Sequence, residues 1–218
     1  MYVIVDQGLA ESRSLNVHRI TEEISKAGAG AVQYRAKNLS KAQYYRQVQT
    51  LLSITRSHDT PLFVNDHLDI ALAVSADGIH LGQNDLPFEA AKKLLPPDMI
   101  LGVSTHSEQQ AALAAKKGVG YIAVGPAFPT TTKENPDPVV GPDLIRKVKK
   151  LIAPIPLIAI GGICLENVAQ VILAGADAVA VASAVVLAED PAASVCSLKE
   201  AVIRAKAARG KEGLYVGG

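Results

Sequence analysis

One pattern governs this chain: a short apolar run, often β-branched, closes on polar or glycine residues and gives way to a longer helical stretch. The runs fall at residues 2–5, 31–34, 62–64, 78–81, 100–103, 121–124, 157–160 and 178–181. Their number is about eight and their mean spacing roughly 25 residues, the length of one strand–helix unit. Between them, apolar residues recur at the three-to-four spacing of an amphipathic helix: Tyr44, Val48, Leu51 and Leu52, then Ala111, Ala114 and Ala115, then Val168, Val171 and Ile172. Alternating units demand parallel strands joined by right-handed crossovers. A closed barrel and an open doubly wound sheet both satisfy that demand. The count favours closure, and Asp6-Gln7-Gly8-Leu9-Ala10 after the first run is not a Gly-x-Gly-x-x-Gly dinucleotide loop. The expected fold class is α/β, a single-domain (βα)8 TIM barrel over residues 1–208, with a Gly-rich tail at 209–218 that frays.

Composition agrees with buried parallel strands. Hydrophobic residues make up 49% of the chain, aromatics only 4%, and Trp is absent, so the expected core is aliphatic. A net charge of +1 supplies no global field for nucleic acid or an anionic membrane, so attraction for an anionic ligand must be local. No apolar run approaches the roughly 20 residues of a membrane helix, and the first six residues lack a signal peptide's basic start. The two cysteines, Cys164 and Cys196, have no metal-type spacing and read as buried free thiols of a cytoplasmic protein. Oligomeric state is open, and a homodimer is compatible with the barrel.

In such a barrel the active site lies at the carboxyl ends of the strands. Polar residues gather there: Gln33, Arg35 and Lys37 after the second run, Asn65 and Asp66 after the third, Gln83, Asn84 and Asp85 after the fourth, Ser104, Thr105 and His106 after the fifth. A Thr130-Thr131-Thr132-Lys133 run follows the sixth, Gly161-Gly162 the seventh and Ala182-Ser183 the eighth. Each group alone has a plainer reading: Asn65-Asp66 as a helix cap, Arg35 and Lys37 as solvated charges, Gly161-Gly162 as a turn. Their coincidence on one rim favours a site.

Arg35, Lys37 and Lys133 would set three cations on that rim, more than one carboxylate needs and suited to a diphosphate. Asp66 and Asp85 suit either a general acid–base pair or Mg2+, and the neighbouring cations favour Mg2+ bridging diphosphate oxygens. Gly161, Gly162, Ala182 and Ser183 sit where barrels recurrently build a phosphate cup from backbone N–H groups, with Thr130 and Thr132 as hydroxyl donors. Two anion sites of different size imply two phosphorylated small molecules. The polar loop at 129–140, with its Asn135-Pro136-Asp137-Pro138 turn, is a candidate lid.

Six stretches carry a resemblance over nearly the whole chain: Val32-Gln33-Tyr34-Arg35-Ala36-Lys37, Val64-Asn65-Asp66, Asp77-Gly78-Ile79-His80-Leu81-Gly82-Gln83-Asn84-Asp85, Gly102-Val103-Ser104-Thr105-His106-Ser107, Gly125-Pro126-Ala127-Phe128-Pro129-Thr130-Thr131-Thr132-Lys133, and Ile160-Gly161-Gly162-Ile163. Together they resemble the thiamin phosphate synthase family. The resemblance implies a Mg2+-dependent transferase that condenses 4-amino-2-methyl-5-hydroxymethylpyrimidine diphosphate with 4-methyl-5-hydroxyethylthiazole phosphate. It implies pyrimidine diphosphate binding by Gln33, Tyr34, Arg35, Ala36, Lys37, Asn65, Ser104 and Lys133, with Arg35, Lys37, Ser104 and Lys133 in the catalytic work. Asp66 and Asp85 would hold Mg2+, and Thr130, Thr131, Thr132, Gly162, Ala182 and Ser183 the thiazole phosphate. The implied reaction is dissociative: diphosphate leaves, a pyrimidine methyl cation forms, and the thiazole nitrogen captures it.

The family's second-strand motif commonly reads Gln-Leu-Arg-Glu-Lys, and Tyr34 and Ala36 depart from it. The lost carboxylate bears on how Arg35 and Lys37 are held. The nearest rival is a thiazole tautomerase of the same superfamily, which would use a histidine near His106 but has no need of Asp66, Asp85 or the Thr-x-Thr-Lys run. A sugar-phosphate isomerase or epimerase would have little use for three cations and a metal. A catalytically silent phosphate-ligand sensor would leave that charge without work. His80 reads as an ordinary packed or capping histidine, and His106 stays open.

Overall fold

Strands form at all eight apolar runs. In the computed structural model, which describes residues 1–132 and 137–215, they are β1 (Tyr2–Asp6), β2 (Ala31–Arg35), β3 (Leu62–Asn65), β4 (Gly78–Leu81), β5 (Ile100–Thr105), β6 (Tyr121–Val124), β7 (Leu157–Ile160) and β8 (Ala178–Val181). Each pairs in parallel with the next, and β8 pairs with β1 to close the barrel. Closure leaves no strand edge unpaired, which is how a sheet of short strands satisfies its backbone.

Helices occupy the connections. Helices α1 (Gln7–Glu11) and α2 (Val17–Lys26) follow β1, then come α3 (Lys41–Arg56), α4 (Leu68–Val74), α5 (Phe88–Lys92), α6 (Glu108–Lys116), α7 (Gly141–Ile152) and α8 (Val168–Leu173), and after β8 α9 (Ser183–Val186) and α10 (Pro191–Tyr215). Local chemistry sets their starts. Asp6 caps α1 through Leu9 N–H, and Ser40 and Gln43 form a reciprocal capping box on α3. The periodic residues Tyr44, Val48, Leu51 and Leu52 of α3 are all buried.

Strand alternation divides the apolar residues between two cores. Val3 and Val5 of β1 point outward into the layer between sheet and helices, whereas Tyr2 and Ile4 point into the barrel. The outer core is largely aliphatic, as composition suggested. The inner one is not: Tyr2, Phe63 and Tyr121 pack there with ring centroids 5.3–5.9 Å apart. Three of the nine aromatics thus fill the narrow barrel.

Two expectations meet different facts. Cys196 is exposed and Cys164 half-buried, so the free thiols are not core residues. Helical backbone continues to Tyr215, and Arg209 donates to the carbonyls of Ile172 and Ala176 (2.8 and 2.9 Å), so the segment taken as a tail starts inside α10. Among the described residues no helix is long and apolar enough to cross a membrane.

Candidate active site

The rim at the carboxyl ends of the strands is built by register. Pairing of β1 with β2 places Asp6 beside Arg35, and their side chains form an ion pair between Arg35 Nη1 and Asp6 Oδ2 that is mostly shielded from solvent. One turn further, Lys37 Nζ pairs with Asp66 Oδ2. These two carboxylates hold the cations. Asp6 had not been read as a site residue. It lies 29 residues from Arg35 in sequence, and only the strand register joins them.

Asp66 and Asp85 face each other across the β3 and β4 ends. Asp66 has φ +64°, a left-handed backbone that Asp tolerates better than most residues and that commonly marks a functional turn. Asp85 Oδ2 accepts from Gly82 N–H at 2.7 Å, which fixes its orientation. Burial alone would raise the Asp66 carboxyl, but the hydrogen bond to Asp85 and the Lys37 ammonium outweigh it and hold Asp66 below its ordinary value. Burial and then the Asp66 carboxylate push Asp85 up. Each carboxylate thus opposes ionisation of the other, a repulsion that a divalent cation between them would relieve. Among the described residues no cluster of three or more His, Cys, Asp or Glu could hold a metal. Two carboxylates fit Mg2+, which takes its remaining ligands from water and phosphate.

Two adjoining lobes open on the rim. The polar lobe is lined by Gln33, Arg35, Lys37, Asn65, Asp66, His80, Asp85 and Ser104. The second, more apolar lobe is lined by Pro126, Thr130, Thr132, Gly161, Gly162, Ile163, Ala182 and Ser183. Arg35, Ser104, His106, Asp137, Ile4 and Ile160 line both and form their common wall.

The second lobe rests on a turn that requires glycine. Gly162 has φ +64°, and a Cβ there would lie 2.4 Å from the Pro129 carbonyl oxygen. The turn is held by Asn167, which donates to the Gly162 carbonyl (2.9 Å) and accepts from Cys164 N–H (2.9 Å). Ala127 N–H and Phe128 N–H donate to the carbonyls of Ile160 and Gly161 and lay the loop after β6 against it. His106 fastens the same loop: Nδ1 donates to the Gly125 carbonyl (2.6 Å), and Nε2 faces Asp137 Oδ2 at 3.3 Å.

Not every expected residue reaches the lobes. Tyr34 and Ala36 alternate outward into the core beneath the helices, where Tyr34 packs at a tilt against Tyr44 and donates to Gln7 Oε1 (2.7 Å). Their side chains support β2 and line neither lobe. Thr131 is exposed and lines a neighbouring groove with Asp6, Arg35 and Lys37. Lys133 and the residues to 136 lie outside the described residues, as does that part of the expected lid. His80 is packed, as expected, but its ring joins Tyr121 and Ser104 and so reaches the site.

Comparison with known proteins agrees with this fold. The model of the family described as thiamine monophosphate synthase matches residues 1–185. The chain is 47% identical over 195 residues to a thiamine-phosphate synthase of Methanospirillum hungatei, covering 89% of this chain and 93% of that one. It is 43% identical over 203 residues to one of Chloroflexus aurantiacus, covering 93% and 92%. The solved thiamine phosphate pyrophosphorylase of Pyrococcus furiosus superposes with a TM-score of 0.83 at 38% identity, over 94% of this chain and 95% of that one. With the rim, its paired aspartates and the glycine cup already in place, these likenesses mean that the chain belongs to the thiamine monophosphate synthase family.

Proposed function

We propose that the chain condenses 4-amino-2-methyl-5-hydroxymethylpyrimidine diphosphate with 4-methyl-5-hydroxyethylthiazole phosphate, releasing thiamin phosphate and diphosphate. One observation carries the reading: two anion-suited lobes of different character share a wall, so two phosphorylated ligands would meet at Arg35, Ser104 and His106. The pyrimidine diphosphate belongs in the polar lobe. Arg35 and Lys37 would hold its phosphate oxygens, and Gln33, Asn65 and Ser104 its ring. The thiazole phosphate belongs in the second lobe, where Gly162 and the start of α9 at Ser183 offer backbone N–H groups and Thr130 and Thr132 hydroxyls. Thr131, on the neighbouring groove, would sit at the edge of both anions. Lys133 completes the proposed cation set.

Asp66 and Asp85 would hold Mg2+, which when bound supplies positive charge to a departing diphosphate. The bond from the pyrimidine methylene carbon to the diphosphate oxygen breaks with its electron pair leaving on oxygen. The cation that remains is captured by the thiazole nitrogen lone pair. Arg35 and Lys37 stabilise the leaving charge, and the common wall keeps the nitrogen in line with the carbon. No covalent nucleophile is required. A tautomerase would have no use for the facing carboxylates.

The test is to mix both substrates with Mg2+ and the purified chain and to follow thiamin phosphate and diphosphate together. Equal yields are expected, vanishing when either substrate is left out or Mg2+ is chelated. Absence of thiamin phosphate with both substrates and Mg2+ present would sink the reading.

A further inference from the structure

Beneath the polar lobe a chain of hydrogen bonds crosses the barrel from one ligand-facing residue to another. Gln33 Nε2 donates to Tyr2 Oη (3.0 Å), and Tyr2 Oη lies 3.0 Å from Tyr121 Oη. Tyr121 Oη lies 2.8 Å from His80 Nδ1, and His80 Nε2 lies 2.8 Å from Ser104 Oγ. Gln33 and Ser104 line the polar lobe, whereas Tyr2 and Tyr121 are buried and line neither lobe.

Donor counting gives the chain two cooperative orders. Burial raises both phenols well above their ordinary value, so each keeps its single proton. In the first order Gln33 donates to Tyr2, Tyr2 to Tyr121 and Tyr121 to His80 Nδ1, and a neutral imidazole then carries its proton on Nε2 toward Ser104 Oγ. That order turns the Ser104 hydroxyl proton toward the lobe and leaves the Gln33 carbonyl oxygen free to accept there. In the opposite order the Gln33 amide is turned over and every proton reverses, so that Gln33 offers a donor and Ser104 an acceptor.

We propose that this relay is a specificity device in which Tyr2 and Tyr121, as positioning residues, bias Gln33 and Ser104 toward presenting one acceptor and one donor to the heterocycle. An aminopyrimidine edge answers that pattern, with an exocyclic N–H donor beside a ring-nitrogen acceptor. A 4-oxo pyrimidine presents the reverse, a carbonyl beside a ring N–H, and is matched fully only when the chain reverses. Discrimination between the two is therefore cooperative across the barrel. The inference rests on the polar lobe being the pyrimidine site.

The experiment measures calorimetric affinities of the full chain, with Mg2+ and no thiazole, for the aminopyrimidine diphosphate and its 4-oxo counterpart. The unaltered chain should favour the amino compound, and Tyr2→Phe and Tyr121→Phe should each cut that ratio about tenfold or more. Thiazole phosphate affinity should stay unchanged, since a merely structural role for the tyrosines would weaken binding without moving the ratio. Tyr2→Phe leaves His80 with Tyr121 and Ser104, so it decides the matter if Tyr121→Phe does not fold. Folded variants that keep the ratio within about twofold would overturn the relay while leaving the reaction standing. An unaltered chain that makes no thiamin phosphate from the two substrates would overturn both.

Discussion

Asp66 carries two constraints at once. Its backbone sits in the left-handed region, and its carboxylate lies between Lys37 and Asp85. An alanine there would mix backbone strain with loss of charge, whereas Asn accepts the same backbone and removes only the charge. Asp66→Asn and Asp85→Asn are therefore expected to lower Mg2+-dependent turnover by more than 100-fold, about 2.7 kcal/mol in the barrier. Both should leave thiazole phosphate affinity unchanged, because neither residue lines the second lobe. Steady-state turnover at saturating Mg2+ checks the first expectation and equilibrium binding the second; wild-type turnover would remove the metal from these residues. The sequence placed Asp66, Asp85 and Arg35 on one rim, and there the structure brings them together. Asp6 was not legible in it, because its role is to pair with Arg35 and that pairing exists only once β1 and β2 are in register. Tyr34 and Ala36 were misassigned for the complementary reason: alternation along β2 turns them away from the rim, and a contiguous motif hides that parity.

At the scale of elements, the strands were readable because parallel strands buried on both faces are continuous apolar runs. The short helices α1, α5 and α9 were not, since five or fewer residues carry no helical period. The turn after β7 shows how an element boundary makes a site. Gly161 and Gly162 both have positive φ, and the loop after β6 is pressed against them by the Ala127 and Phe128 hydrogen bonds. Gly162→Ala would place a Cβ 2.4 Å from the Pro129 carbonyl and 2.8 Å from that of Phe128, and neither is the end of a flexible side chain. The loop must then move away from the cup and take Thr130 and Thr132 with it. Thiazole phosphate binding should weaken at least about tenfold, with a stability loss of about 1–3 kcal/mol from backbone strain. Affinity for the pyrimidine diphosphate, whose proposed lobe does not include Gly162, should change much less. Calorimetry with each ligand separately measures the contrast, and equal losses for both would show that the two lobes do not divide the substrates. Ser183→Ala at the start of α9 should by comparison be mild, since the backbone supplies the proposed contact there.

For the whole molecule the interior of the barrel is graded. Its floor is aromatic, its middle is the Tyr2–Tyr121–His80 relay, and its mouth is charged. Composition concealed this grading because nine aromatics in 218 residues suggest an aliphatic core, while geometry places three of them together. The floor also depends on glycines in the strands facing those rings. A Cβ on Gly78 would lie 2.3 Å from the Phe63 ring, and one on Gly102 would lie 2.0 Å from that of Tyr121. A phenol ring closed in by Tyr2, Phe63 and His80 cannot yield by a few tenths of an ångström, so Gly102→Ala must shift Tyr121 as a body. Overpacking of this kind costs about 1–3 kcal/mol, and here the displaced ring also carries the hydroxyl that joins Tyr2 to His80. Gly102→Ala is therefore expected to lower the urea midpoint and to change the near-ultraviolet circular dichroism of the tyrosines, undiluted by any Trp signal. In the fraction that folds, the preference for amino over 4-oxo pyrimidine diphosphate should fall as it does in Tyr121→Phe, although Gly102 itself lines neither lobe. An unchanged midpoint with an unchanged tyrosine spectrum would mean that the floor can repack around the added methyl, and the mouth would then be independent of the aromatic layer beneath it.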